Sequence, residues 1–128
     1  MNCNYNTKLK NENIFDELEK KYGNKYPDDL RRFIKDYNAG TPEKYHIKIS
    51  GTERIIGSIL SYNVDEKDVD SAFLAIDVIE NKNMLPFAVD PFGNYFCYYE
   101  DKVIYIFHEE ERVDYTDYSI SDFEKFLY

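Results

Sequence analysis

At 128 residues the chain is long enough for one domain with its own buried core and too short for two of ordinary size. Hydrophobic residues make up 43% and aromatics 17%, with 13 Tyr, 9 Phe and no Trp, which excludes an intrinsically disordered chain. The formal charge of −9 is lopsided: residues 1–64 carry 11 Lys/Arg against 9 Asp/Glu, whereas residues 65–128 carry 5 against 16. Such a half repels a phosphate backbone, which disfavours direct nucleic-acid binding, and attracts a basic partner. Acidity also serves plain solubility, and charge alone does not separate the two.

The opening MNCNYNTKLKNEN has no apolar core of a signal peptide, and no apolar run approaches the roughly 20 residues that cross a bilayer. The expected location is cytoplasmic, with no membrane contact. Cys3 and Cys97 form no ligand-spaced pair, and Cys97, inside an aromatic run, reads as a buried, inert thiol.

Residues 1–10 are polar and are expected to be a flexible segment ahead of a single domain over 11–128. From Asn11 to Tyr22, the residues Ile14, Phe15, Leu18 and Tyr22 follow helical spacing, with Asn13 a candidate N-cap and Gly23 the stop. Tyr26-Pro27-Asp28-Asp29 signals the start of a second helix, with acids at its positive dipole end. Leu30, Phe33, Ile34 and Tyr37 form its apolar stripe, Gly40 ends it and Pro42 turns the chain away. Period-2 alternation at Tyr45, Ile47 and Ile49 reads as a half-buried strand. Gly51-Thr52 reads as a turn, and Arg54–Tyr62 as β-prone, with a break at Gly57. Ser71–Glu80 fits neither period cleanly, and helix and strand stay open.

The strongest β signal lies between Met84 and His108. Leu85–Val89 is a strand in which Pro86 implies an edge or a bulge. Asp90–Asn94 is a turn that uses Gly93 at positive φ, followed by strands at Tyr95–Tyr99 and Val103–His108. Glu109–Glu111 ends the meander, and Ser119–Leu127 is a capped helix with Ile120, Phe123, Phe126 and Leu127 on one face. Segregated helices and an antiparallel sheet make the fold class α+β.

The sequence offers no catalytic constellation. His46 and His108 lack HxH, HxxxH or HExxH neighbours, and His108 with Glu109–Glu111 would alternate across a strand end and not converge on a metal. No phosphate-binding glycine loop or nucleophile elbow occurs. Asp65, Glu66, Asp68 and Asp70 lack the glycine and closing Glu of a calcium loop. No enzyme activity, cofactor or metal is expected. Exposed Tyr among acids, at Tyr115 and Tyr118 beside Asp114 and Asp117, suits a contact surface for a basic protein. A Tyr-rich codon bias accounts for the same residues equally simply.

Two motifs resemble the SUKH superfamily. Tyr26-Pro27-Asp28-Asp29-Leu30, followed by Phe33-Ile34 and Tyr37-Asn38-Ala39-Gly40-Thr41-Pro42, is similar to its signature LP-x-[DE]-[YL]-xx-F-[LI]-xxx-NGG-xP. Leu85-Pro86-Phe87-Ala88-Val89-Asp90, with Gly93-Asn94-Tyr95-Phe96 after it, is similar to its PFA-x-D-xx-G-[ND]-xF hairpin. Tyr26 stands where the family has Leu, Ala39 replaces the first glycine of the NGG, and no early Trp is present. The superfamily includes a yeast cell-wall assembly regulator and many bacterial immunity proteins of polymorphic-toxin and contact-dependent inhibition systems. The resemblance therefore implies a non-enzymatic α+β domain that neutralises a cognate toxin, often a nuclease. Pro27, Gly40, Pro42, Pro86, Phe87, Asp90 and Gly93 read as structural motif residues.

The expected function is toxin neutralisation by occlusion, as a monomer or weak homodimer. Glu109, Glu110, Glu111, Asp114, Tyr115, Asp117 and Tyr118 are the candidate partner contacts. A regulatory scaffold domain is the alternative, and a small hydrolase or metal-dependent enzyme with a site assembled across the fold is a third reading.

Overall fold

The computed structural model describes residues 1–66 and 69–128. The elements are β1 (Cys3–Asn4), α1 (Ile14–Tyr22), α2 (Asp28–Tyr37), β2 (Thr41–Pro42), β3 (His46–Ile49), β4 (Thr52–Ile55), β5 (Ser58–Ile59), α3 (Ala72–Val78), β6 (Leu85–Val89), β7 (Tyr95–Tyr99), β8 (Lys102–Phe107), β9 (Arg112–Tyr115) and α4 (Ile120–Phe126). A five-stranded antiparallel sheet in the order β5-β6-β7-β8-β9 carries the fold, with two-stranded pairs β1-β2 and β3-β4 beside it. The α+β class stands.

Each helix forms for a readable local reason. In α1, Ile14, Phe15 and Leu18 are buried, and Gly23 closes it at φ 69 with its N–H donating to Glu19 O. Asn13 makes no side-chain cap; instead Asn11 Oδ1 accepts from the Asn13 N–H at 3.0 Å, an Asx turn one step earlier. Pro27 stands extended before α2, and Leu30, Phe33 and Ile34 face inward. Arg31 joins the two helices, pairing with Asp16 and Glu19 at 2.9 Å each.

Gly40 plays a different part from the helix stop expected of it. The left-handed residue after α2 is Ala39, at φ 62. A Cβ on Gly40 would fall 2.9 Å from Cys3 Cβ and 2.9 Å from Tyr37 O, so glycine there lets β1 close on β2. Pro42 pairs with Cys3 in that ladder.

The N-terminal segment is packed against the domain. Leu9 is buried in the core, and Thr7 N–H donates to Asn38 O at 2.9 Å. Asn63 Oδ1 accepts from Lys10 N–H while its amide donates to Lys8 O, both at 2.9 Å. Two buried asparagines thus staple a polar segment that carries little apolar signal of its own.

The β3-β4 turn falls on Ser50-Gly51, both at positive φ, one residue earlier than expected, and the β-prone stretch breaks at Ile56-Gly57. The open segment 71–80 is helix: Ser71 Oγ accepts from Phe73 N–H, and Ala72, Ala75 and Ile76 are buried while Leu74 and Val78 point outward. Pro86 lies at a bulge, where the β6-β7 register shifts between Pro86 and Ala88. It is not on an edge strand; β6 pairs on both sides, and all five of its residues are buried. The meander continues past the acidic run into β9, a strand absent from the sequence reading.

Aromatic rings fill the centre. Phe33, Phe87, Phe96 and Phe123 meet edge to face at 5.0–6.0 Å, joining α2, α4 and the sheet. Ser119 and Asp122 form a reciprocal capping box at the start of α4.

Candidate functional site

Among the described residues, four polar side chains are buried, and each is engaged in hydrogen bonds. They are Asn38, Ser61, Asn63 and Asp90. Asn38 Oδ1 accepts from Tyr62 N–H at 2.8 Å, Ser61 Oγ accepts from Asn63 N–H at 3.1 Å, and Asn63 holds the N-terminal segment. Asp90 Oδ1 accepts the N–H groups of Phe92 and Asn94, each at 2.8 Å, and Oδ2 accepts the Tyr105 hydroxyl. The motif residues Phe87, Asp90 and Gly93, the last at φ 86, therefore build the hairpin and core.

The histidines are apart. His46 lies against the Tyr128 ring and the Tyr128 carbonyl, and His108 is exposed at the β8-β9 turn. Among the described residues no group of three or more His, Cys, Asp or Glu is placed to hold a metal ion. The acidic stretch around Asp65–Asp70 lies partly outside the described residues; within it, Asp65 pairs with Lys10 at 3.0 Å, which pulls its carboxyl below the usual range. Both thiols are free. Burial pushes the half-buried Cys3 up to about 11 and the enclosed Cys97 well above the ordinary thiol value, so neither is a thiolate nucleophile at neutral pH. No helix among the described residues is long and apolar enough to cross a membrane.

The seven candidate contact residues fall at the two ends of β9. Glu109, Glu110 and Glu111 are exposed on the β8-β9 turn. Tyr115, Asp117 and Tyr118 lie at the other end of β9, about 10 Å along the strand at roughly 3.4 Å per residue. Tyr115 is 60% exposed and Asp117 exposed, while the Tyr118 hydroxyl donates to Lys48 O at 2.8 Å and its ring packs on Phe126. Asp114 is turned inward, its side chain only 13% exposed, 3.3 Å from Arg112 and 3.8 Å from Arg54.

The acidic turn borders a feature the sequence did not disclose. Tyr95, Ile106 and Val113 are direct cross-strand neighbours on β7, β8 and β9, so their side chains form one row on one sheet face. With Val78, Ile79 and Met84 they line a groove of about 530 Å³ between the end of α3 and the sheet edge. Its rim carries Glu80, Glu110 and Glu111, with Arg112 and His108 beside them. The Arg112 guanidinium lies over the Phe107 ring at 4.5 Å and pairs with Asp114, so the exposed glutamates set the sign of the rim.

The family model described as SMI1 / KNR4 family (SUKH-1) matches residues 10–128. Neither curated proteins nor solved structures gave a match.

Proposed function

The chain belongs to the SMI1 / KNR4 family (SUKH-1), and from that premise we propose that it is an immunity protein which binds a cognate nuclease-type toxin domain and blocks it by occlusion. One observation carries the reading: Glu109, Glu110 and Glu111 project from a turn beside an open groove with apolar residues on its floor and take part in no ion pair among the described residues. Uncompensated acids beside apolar surface suit a basic protein whose own substrate is a polyanion. The engagement of Asn38, Asn63 and Asp90 in contacts that hold the backbone in place supports a binding role over a reaction. In this reading the acidic half of the chain competes with nucleic acid for the toxin's cationic cleft. A cytoplasmic location and a monomeric or weakly dimeric state go with it.

The test mixes the purified protein with the C-terminal domain encoded by the adjacent upstream gene, by calorimetry and by a nuclease assay. A one-to-one complex that abolishes nuclease activity supports the reading. Absence of binding refutes it for that toxin and moves weight to a scaffold role, which a pull-down would then examine.

A further inference from the structure

We infer that the groove between α3 and the β7-β8-β9 edge is the docking site, and that its occupant is a cationic segment of the partner bearing an apolar side chain. The inference rests on the immunity reading for the identity of the partner and on the groove alone for the chemistry.

Floor and rim ask for different things from one ligand. The Tyr95–Ile106–Val113 row is partly exposed, an apolar row on the kind of face that an antiparallel sheet open to water ordinarily fills with polar residues. The apolar surface continues outward onto α3, where Leu74 is 66% and Val78 51% exposed, one helical turn apart. Covering this surface favours an apolar side chain in the groove. The rim glutamates Glu80, Glu110 and Glu111 lie at the same opening, and Asp77 is exposed on α3 beside Val78. A flanking Lys or Arg would therefore meet carboxylates within a few ångströms of the apolar anchor.

A second copy of this chain is a poor occupant. Each copy carries −9, and a symmetric contact would set one acidic rim against the other. A neutral apolar segment would leave the rim carboxylates partly desolvated without partners, an unfavourable exchange. A cationic segment satisfies both parts.

Two probes test this. The first is an amidated peptide of alternating lysine and leucine, titrated into isotope-labelled protein and followed by backbone amide shifts, with an alternating glutamate–leucine peptide as control. Shifts should gather at Val78, Tyr95, Ile106 and Val113, vanish in the Glu110→Lys/Glu111→Lys variant and fail with the acidic peptide. The second is the adjacent-gene toxin domain. Glu110→Lys/Glu111→Lys and, separately, Val78→Asp should each weaken its affinity on the order of 100-fold, while Tyr115→Ala/Asp117→Lys leaves it unchanged. These positions are exposed, so each variant keeps its fold, checked by the amide spectrum.

If the toxin domain binds and the groove variants bind it as tightly as wild type, the groove is overturned and the immunity reading stands. If wild type does not bind the toxin domain, that reading falls and the lysine–leucine peptide decides the groove. Shifts elsewhere, or none up to about 1 mM peptide, overturn it. Self-association abolished by Val78→Asp assigns the groove to a second copy and overturns it equally.

Discussion

Asp90 accepts the hydroxyl of Tyr105 across the meander, joining the β6-β7 turn to β8 from inside the protein. The same carboxylate holds the N–H groups of Phe92 and Asn94 through Oδ1, and the Asn94 amide through Oδ2 at 3.0 Å. One buried side chain thus fixes a turn and anchors it to a neighbouring strand. Asp90→Ala leaves the buried Tyr105 hydroxyl and three part-buried donors unmet and should lower stability by about 2–4 kcal/mol. Tyr105→Phe removes one donor and should lower it by about 1 kcal/mol. Urea unfolding of both variants checks the order. Equal losses would show that the hydroxyl, and not the turn, is what Asp90 supports.

Gly40 and Ala39 make opposite predictions from neighbouring positions. A methyl at residue 40 meets Cys3 Cβ and the Tyr37 carbonyl, and a backbone carbonyl yields poorly. Gly40→Ala should therefore destabilise by about 1–3 kcal/mol and loosen β1 from β2. Ala39→Gly relieves a left-handed φ of 62 but adds freedom to the unfolded chain and removes a buried methyl. Its thermal midpoint should stay close to wild type. A silent Gly40→Ala would refute the close-approach account.

What the sequence disclosed and what it hid divide along physical lines. The stripes of α1 and α2 and the alternation of β7 and β8 were legible because one buried face imposes one period. α3 stayed ambiguous because Leu74 and Val78 stand on its outer side, so exposed apolar residues blurred the pattern. β9 was missed because Arg112-Val113-Asp114-Tyr115 is a short edge strand behind three glutamates, with only one aliphatic residue to mark it. The docked N-terminal segment depends on Asn38 and Asn63, far along the chain, and no local pattern announces such staples. Of the candidate contacts, the acidic turn lies at the groove, whereas the groove itself is assembled from α3, β7, β8 and β9 and has no signature in any one of them.

Tyrosine burial predicts how the fold fails in alkali. Burial raises Tyr26, Tyr62, Tyr98 and Tyr105 above the ordinary tyrosine value, with the Asp29 and Asp90 carboxylates adding to the effect at Tyr98 and Tyr105. Tyr37 is pushed up to about 12 by burial and by Glu124. A raised folded value means that the unfolded chain loses its protons first, so stability is fully present below about pH 10 and falls as pH rises through 12. Denaturant midpoints should be flat from neutrality to about pH 9 and then drop steeply. The part of the phenolate absorbance that belongs to the buried Tyr26, Tyr62, Tyr98 and Tyr105 should appear together with loss of the near-ultraviolet dichroism. Ionisation of most tyrosines near pH 10 in a still-folded protein would contradict the burial.

Asp114 separates a structural acid from a binding one. Arg54 lies over the Tyr105 and Phe107 rings at 4.7 and 4.9 Å, and its Nε is buried without a partner. Asp114 stands 3.8 Å from one end of that guanidinium, with the Arg54 side chain 21% exposed. Removing the carboxylate leaves a largely enclosed cation beside two rings with no counter-charge. Because both side chains keep some solvent contact, the loss should be about 1–3 kcal/mol, below that of a fully buried pair. Asp114→Ala should accordingly lower the unfolding midpoint while leaving the association rate with a basic partner nearly unchanged. Glu110→Lys/Glu111→Lys should do the reverse, slowing association and flattening its salt dependence at unaltered stability. Unfolding curves and stopped-flow mixing at two ionic strengths read both quantities on both variants. A slower association in Asp114→Ala at full stability would place that carboxylate on the binding surface after all.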